Sequence, residues 1–234
     1  MVTEPKFHEY ETREQLAEAL ASGVAAVLAG GIATRGHALL AVSGGSTPKL
    51  FFDHLSKAEI DWSKVMIILV DERLVPQDHP RSNSLLVRDH LIKQHAAAAR
   101  FVPYVVDGDT PEECAEASEL AFDIAGHRID AAIFGMGTDG HTASWFPGAS
   151  NLDQLTDPEN TLEVSSTHAP SQGEDRLTLT LAKLLQSRFL ALHIEGTEKK
   201  SALNVALKLA DPQLYPVAAL FSHDPPLIDV FWAE

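Results

Sequence analysis

Asp139-Gly140-His141 sets a carboxylate and an imidazole two positions apart, with one glycine between them. That spacing lets both side chains point into one cleft. Imidazole is the most frequent general base, because it titrates near neutral pH. His141 is therefore read as a general base and Asp139 as its neighbour in the site. The stretch that carries them begins as an apolar run, Ala131 to Phe134, and then breaks into glycines at 135, 137 and 140. Such a run fits a buried strand, and in open α/β sheets ligands sit beyond the carboxyl ends of strands. Asp-Gly is also an ordinary turn dipeptide, so the case depends on the other strand ends.

Three more apolar runs end in polar clusters. Ala38 to Val42 leads into Ser43-Gly44-Gly45-Ser46-Thr47-Pro48. Here Gly44 and Gly45 would let the backbone approach an anion, and amides at a helix start would point at it. Thr47 is expected to cap that helix, with Pro48 at its first position. The lysine and spacing of a Walker loop are missing. Val65 to Val70 leads into Asp71-Glu72-Arg73. These consecutive charges are not expected inside the sheet: they form either a solvated rim or part of the same cleft, where Arg73 offers a planar fork of donors. Phe189 to Ile194 leads into Glu195-Gly196-Thr197-Glu198-Lys199. A lysine in the first turn of a helix opposes the helix dipole, which hints at an anion nearby. Two further residues stand apart. Asn83 sits at a helix start, where it either caps or reaches a ligand. Arg176 shares one face of an alternating strand with Thr178 and Thr180, either solvated or facing the site.

Positioning these groups falls to alternating strands and helices. Thr12-Arg13-Glu14-Gln15 fits a capping box, opening an amphipathic helix through Leu28 that Gly30-Gly31 is expected to end. Phe101 to Val106 is expected as a strand. Thr110-Pro111 opens a second helix to about Ile124, with Cys114, Ala117, Leu120 and Ala121 on its inner side. Trp145 and Phe146 follow the histidine and either wall the site or pack in the core. Asn151 to Asn160 is expected as a surface loop, Thr161 to Ser166 as a strand, and Val217 to Leu220 and Ile228 to Trp232 as the last strands. This alternation implies an α/β fold with a mostly parallel sheet and the polar ends on one edge.

Composition bounds the partners. With 234 residues, 45% of them hydrophobic, one domain spanning 1–234 is expected. A formal net charge of −15 argues against nucleic acid as a partner. An anionic small substrate then requires Arg and Lys to be concentrated at the site. The single cysteine, Cys114, excludes an internal disulfide and fits a reducing compartment. No Cys/His cluster has zinc spacing, so neither metal nor cofactor is expected. No apolar run reaches the roughly 20 residues of a membrane span, and Met1 to Tyr10 lacks the apolar core of a signal peptide. A cytoplasmic location, without membrane partners, follows as the expectation.

Taken together, Ser43 to Pro48, Asp71 to Pro76, Ser82-Asn83, Gly135 to Ser144, Arg176-Leu177-Thr178 and Gly196 to Lys199 resemble the 6-phosphogluconolactonase family, in order, from about Phe7 to Trp232. The resemblance implies a three-layer α/β/α, modified Rossmann-like fold of the deaminase/ribose-5-phosphate isomerase/CoA-transferase type. It implies hydrolysis of 6-phosphoglucono-1,5-lactone, a sugar phosphate lactone, by a monomer or weak homodimer. By that likeness Ser46, Thr47, Arg176 and Lys199 hold the phosphate and His141 is the base, while Gly44, Gly45, Asp71 and Asn83 complete the substrate site beside Asp139 and Arg73. Two rivals remain: a glucosamine-6-phosphate deaminase or isomerase on the same fold, and a non-catalytic sugar-phosphate sensor. The deaminases carry a glutamate a few residues beyond the histidine, where this chain reads Ser144-Trp145-Phe146-Pro147.

Overall fold

A computed structural model describes residues 5–123, 127–222 and 228–234. In chain order the elements are β1 (Lys6–Tyr10), α1 (Arg13–Arg35), β2 (Ala38–Val42), α2 (Lys49–Leu55), β3 (Val65–Leu69), β4 (Asp71–Arg73), α3 (Asn83–His90), β5 (Arg100–Phe101), α4 (Pro111–Phe122) and β6 (Ala131–Phe134). They continue as α5 (Leu152–Leu155), β7 (Val164–Ala169), β8 (Glu174–Leu179), α6 (Leu181–Leu185), β9 (Phe189–Glu195), α7 (Thr197–Leu209) and β10 (Ile228–Ala233).

Seven strands form one parallel sheet in the order β1-β10-β9-β6-β2-β3-β5. The expected α/β class with a mostly parallel sheet is therefore the observed one. Its central strands are apolar on both faces, as a sheet covered on two sides requires. All of Ala38 to Val42 and Ala131 to Phe134 is buried. The strands that end in polar clusters, β9, β6, β2 and β3, are neighbours in the middle of this sheet. Strand order reverses between β2 and β6: one branch runs β2-β3-β5, the other β6-β9-β10. The loops after β2 and β6 must diverge there, and the crevice they leave is where such sheets bind ligands.

A second sheet, antiparallel in the order β4-β8-β7, was not anticipated. It begins where β3 ends, so the Asp71-Glu72-Arg73 run becomes a strand after all. Asp71 and Glu72 are buried, contrary to the expectation for consecutive charges. Hydrogen bonding explains Glu72. Its carboxylate accepts from the Asn83 and Ser84 amides, both at 2.8 Å, from Ser82 Oγ at 2.9 Å and from the Arg73 amide at 2.8 Å. A buried carboxylate is tolerated when its lone pairs are filled this way. Helix α4 packs on β7 and β8.

Several boundaries differ from the sequence reading. Thr12 does cap α1, accepting from the Gln15 amide at 3.2 Å, but the helix runs through Gly30-Gly31 to Arg35 and ends at Gly36 in the left-handed region. Gly31 is there for space: a Cβ would lie 3.2 Å from both Ala38 Cβ and Asp130 Cγ. At 23 residues, α1 is also long and apolar enough to span a membrane, which the residue count above did not register. Its Leu16, Leu20, Val24 and Leu28 are buried, and it packs against α2, β2 and β10. Strand β5 stops at Phe101 rather than Val106. Val102 donates one more bond to Ile67 O, and Pro103 then has no amide to continue the ladder. In α4 the buried side is Cys114, Ala115, Ser118 and Phe122, whereas Leu120 is exposed; Ile124 lies outside the described residues. Within Asn151 to Asn160, α5 buries Leu152 and Leu155. Strand β7 runs from Val164 to Ala169 rather than over the expected Thr161 to Ser166. The Val217 to Leu220 run is a 3-10 helix, Pro216–Phe221, because a short apolar run alone does not separate buried helix from strand.

Candidate active site

The crevice at the β2/β6 reversal is a cleft of about 270 Å³. His141, Gly44, Gly45, Ser46, Thr47, Asp71, Arg73, Asn83, Arg176 and Lys199 all line it. Of the residues expected to form the substrate site, Asp139 alone is not in the wall. It stands behind His141, with Oδ1 2.6 Å from His141 Nδ1 and 3.2 Å from the His141 amide nitrogen.

Glycines 137 and 140 make this pair possible. A Cβ on Gly137 would sit 2.3 Å from the His141 ring and 2.5 Å from Asp139 Oδ1, so any side chain there overlaps the pair. Gly140 has φ +79°, in the left-handed region where glycine is favoured. The turn is closed by Gly137 N to His141 O at 2.9 Å and by Thr142 Oγ1 to Gly135 O at 2.8 Å. Burial alone would raise the Asp139 pKa. The hydrogen bond to His141 and its charge outweigh this, so the carboxyl titrates below its ordinary value. An ionised carboxylate only accepts, so the ring proton belongs on Nδ1 and Nε2 keeps a lone pair.

Phe146 joins the imidazole to the cationic wall. Its ring stacks on His141, centroids 4.6 Å apart, and Arg176 lies 5.3 Å from its centroid. The ring is buried and does not line the cleft, so of the two roles expected for Phe146 it takes the core one, behind His141; Trp145 is core as well, donating from Nε1 to Leu179 O at 3.0 Å. Arg176 is also buried. Its Nη2 donates to Gln172 and Glu174, each at 2.5 Å, and Asp71 stands 3.8 Å from Nη1. Arg73 donates from Nη1 to Arg81 O at 2.7 Å and Asn83 Oδ1 at 2.9 Å. Burial and then the charge of Arg176 lower the Arg73 pKa, against Asp71, Glu174 and Glu72, which raise it. Asn83 is the first residue of α3 and does not cap it; Ser82 does, accepting from the Ser84 and Leu85 amides. Asn83 instead holds Arg73 and donates to Asp71 O at 2.8 Å. It occupies the space a Gly44 side chain would need: a Cβ there would lie 1.8 Å from Asn83 Oδ1.

Thr47 does not cap α2 either; no side chain does. Its hydroxyl instead lies 3.3 Å from Lys199 Nζ, tying the glycine loop after β2 to the start of α7. Lys199 titrates below the ordinary lysine value, because burial and the charge of Arg13 outweigh Glu195. Three cations, Arg73, Arg176 and Lys199, thus meet a His-Asp pair around one cleft in a chain of net charge −15. Sequence reasoning missed two polar wall residues, Gln172 and His193. Gln172 sits in a polar loop without a motif. His193 sits inside an apolar strand, where its only signal is the polarity of one ring among six other residues of β9.

Comparison with known proteins follows the same line. The family described as glucosamine-6-phosphate isomerases/6-phosphogluconolactonase matches residues 11–232. The chain is 46% identical over 226 residues to a 6-phosphogluconolactonase of Rhizobium meliloti (strain 1021), covering 97% of each protein. It is 45% identical over 227 residues to that of Mesorhizobium japonicum, covering 97% of this chain and 94% of the relative. Its fold superposes on the crystal structure of a 6-phosphogluconolactonase from Shewanella baltica with a TM-score of 0.94, at 35% identity and full coverage of both chains. With a family match over nearly its whole length, this chain belongs to the glucosamine-6-phosphate isomerase/6-phosphogluconolactonase family.

Proposed function

We propose that the protein hydrolyses 6-phosphoglucono-1,5-lactone to 6-phosphogluconate. The observation that carries this reading is the convergence of His141, backed by Asp139, with Arg73, Arg176 and Lys199 around a single cleft. A lactone is an ester and already electrophilic, so neither a covalent nucleophile nor a metal is required. Nε2 of His141 takes a proton from water, and the water oxygen attacks the lactone carbonyl. Arg73 and amides of the glycine loops stabilise the oxyanion. The imidazolium then gives its proton to the departing ring oxygen, leaving the open acid. Asp139 orients the ring and holds its Nδ1 proton. Ser46, Thr47, Arg176 and Lys199 take the phosphate at a distance from the reacting carbon and so fix that carbon's position.

Between His141 and Pro147 there is no carboxylate to assist sugar ring opening, which favours lactone hydrolysis over deamination. The reaction belongs to the oxidative pentose phosphate or Entner–Doudoroff route, carried out in the cytoplasm by one domain spanning 1–234, as a monomer or weak homodimer. Purified protein should accelerate lactone opening above the spontaneous rate and release no ammonia from glucosamine 6-phosphate. His141→Ala should return the lactone rate close to the spontaneous one. Wild-type protein that binds 6-phosphogluconate without accelerating lactone opening would instead be a sensor.

A further inference from the structure

His193 lies in β9 with its side chain 3% exposed, in the wall of the cleft. The strand around it, Phe189-Leu190-Ala191-Leu192 and Ile194, is apolar. Neither ring nitrogen makes a hydrogen bond among the described residues. Leaving such a group buried and unpaired is unfavourable, and a leucine would pack there without that cost. Its surroundings are polar on one side only. Glu195, two positions on and on the same face of the strand, brings Oε1 to 3.4 Å from Nε2. Arg13 holds the other oxygen of that carboxylate at 3.3 Å. Phe51 meets the ring edge-on at 6.3 Å. The ring also lines the cleft, whose wall holds Thr47 and Lys199, and Glu195 beside it lies close enough to Lys199 for their charges to interact.

We propose that His193 binds the phosphate group of the substrate directly, as a further member of the anchor formed by Ser46, Thr47, Arg176 and Lys199. This rests on the sugar-phosphate reading above and adds a residue to it. With phosphate bound, Glu195, 3.4 Å from Nε2, takes up that N–H, and the other ring nitrogen meets a phosphate oxygen. No bond is made or broken in this role, so the residue acts on affinity rather than on the chemical step.

Titration calorimetry with 6-phosphogluconate and with inorganic phosphate, on wild type, His193→Leu and His193→Gln, tests the proposal. His193→Leu should weaken both ligands about tenfold or more, the usual scale for losing a hydrogen bond to a charged group. His193→Gln, which keeps an N–H, should recover part of the loss. With lactone as substrate, KM should rise by a similar factor while kcat stays within about threefold. Binding within about twofold of wild type in His193→Leu, or a fall in kcat at unchanged KM, overturns it. If His193→Leu does not fold, imidazole 15N shifts of His193 in the wild-type protein decide: they must move on adding phosphate, and unmoved shifts overturn the assignment. Wild-type protein inert toward the lactone would defeat the hydrolase reading, while the calorimetry would still judge His193.

Discussion

Arg73 and Arg176 are direct partners across the antiparallel pairing of β4 and β8. Like charges placed directly opposite on neighbouring strands repel. The fold tolerates the pair by surrounding it with acceptors: Glu174 and Gln172 on Arg176, Asn83 and the Arg81 carbonyl on Arg73, and Asp71 beside both. Even so, the Nε of each guanidinium is buried without a hydrogen bond among the described residues. By the roles proposed above, Arg176 meets the phosphate and Arg73 the oxyanion. Truncating Arg176, a proposed phosphate ligand, should raise KM for the lactone about tenfold or more, and truncating Arg73, which is proposed to face the oxyanion, should lower kcat about tenfold or more. A double-mutant cycle on Arg73→Ala and Arg176→Ala should show coupling, because the pair shares neighbours. Strict additivity of the two losses in kcat/KM would show that the shared neighbours do not couple the two side chains.

The His141–Asp139 contact makes a different prediction, on kcat. His141→Ala should cost about 10²–10⁴-fold in kcat, the span of general-base catalysis. Asp139→Asn keeps the shape but can donate to Nδ1, which favours the tautomer with its proton on Nε2. That tautomer has no lone pair for water, so kcat should fall at least about tenfold with KM little changed. Equal turnover in Asp139→Asn and wild type would remove the orienting role.

Much of this cleft was legible because its parts lie at strand ends, where apolar runs give way to glycine and charge. Ala38 to Val42 and Ala131 to Phe134 could be read as buried strands, and the loops that follow them hold five of the wall residues named in advance. Glu72 shows where the reading failed. Its burial depends on amides contributed from Asn83 and Ser84, eleven and twelve positions away, and no local pattern announces such a partner. Gly30-Gly31 failed for a similar reason. Glycine is a weak helix former, yet Gly31 is needed where the helix meets Ala38 and Asp130. His193 was hidden by the apolar run that buries it.

Glu72 should be a stability residue rather than a catalytic one. Its carboxylate ties β4 to the start of α3, accepting four hydrogen bonds. Glu72→Gln replaces one acceptor oxygen with a donor that faces other donors. A loss of about 2–3 kcal/mol is expected, read as a lower midpoint in urea unfolding. The Asn83 side chain should shift with the start of α3, so kcat should also fall through Arg73. An unchanged midpoint would mean that water replaces the lost bonds.

Gly137→Ala isolates space from backbone strain. Gly137 does not lie in the left-handed region, so alanine is allowed by the backbone, but its Cβ would sit 2.3 Å from the His141 ring. The ring and Asp139 must move together. A displacement of about 1 Å at a catalytic group is enough to cost about 10²-fold in rate. Stopped lactone turnover in a protein with a wild-type unfolding midpoint is the expected outcome. Full turnover would mean that the pair shifts without leaving its reacting position.

Lys199 predicts how the anchor responds to pH. Burial, and then the charge of Arg13 against that of Glu195, place its pKa below the ordinary 10.5. The sign follows from linkage. Between the lowered folded value and 10.5 the unfolded chain holds the proton more than the folded one, so stability gains from this group as pH rises through that window. Ligand affinity moves the other way, because a neutral amine no longer attracts phosphate. Binding of 6-phosphogluconate should therefore weaken as pH rises while a free lysine would still be charged. The product is the right probe, since the lactone opens spontaneously in base. Lys199→Arg, whose charge persists across the range, should bind with a flat alkaline profile. An identical alkaline loss in Lys199→Arg and wild type would assign the titration to another group.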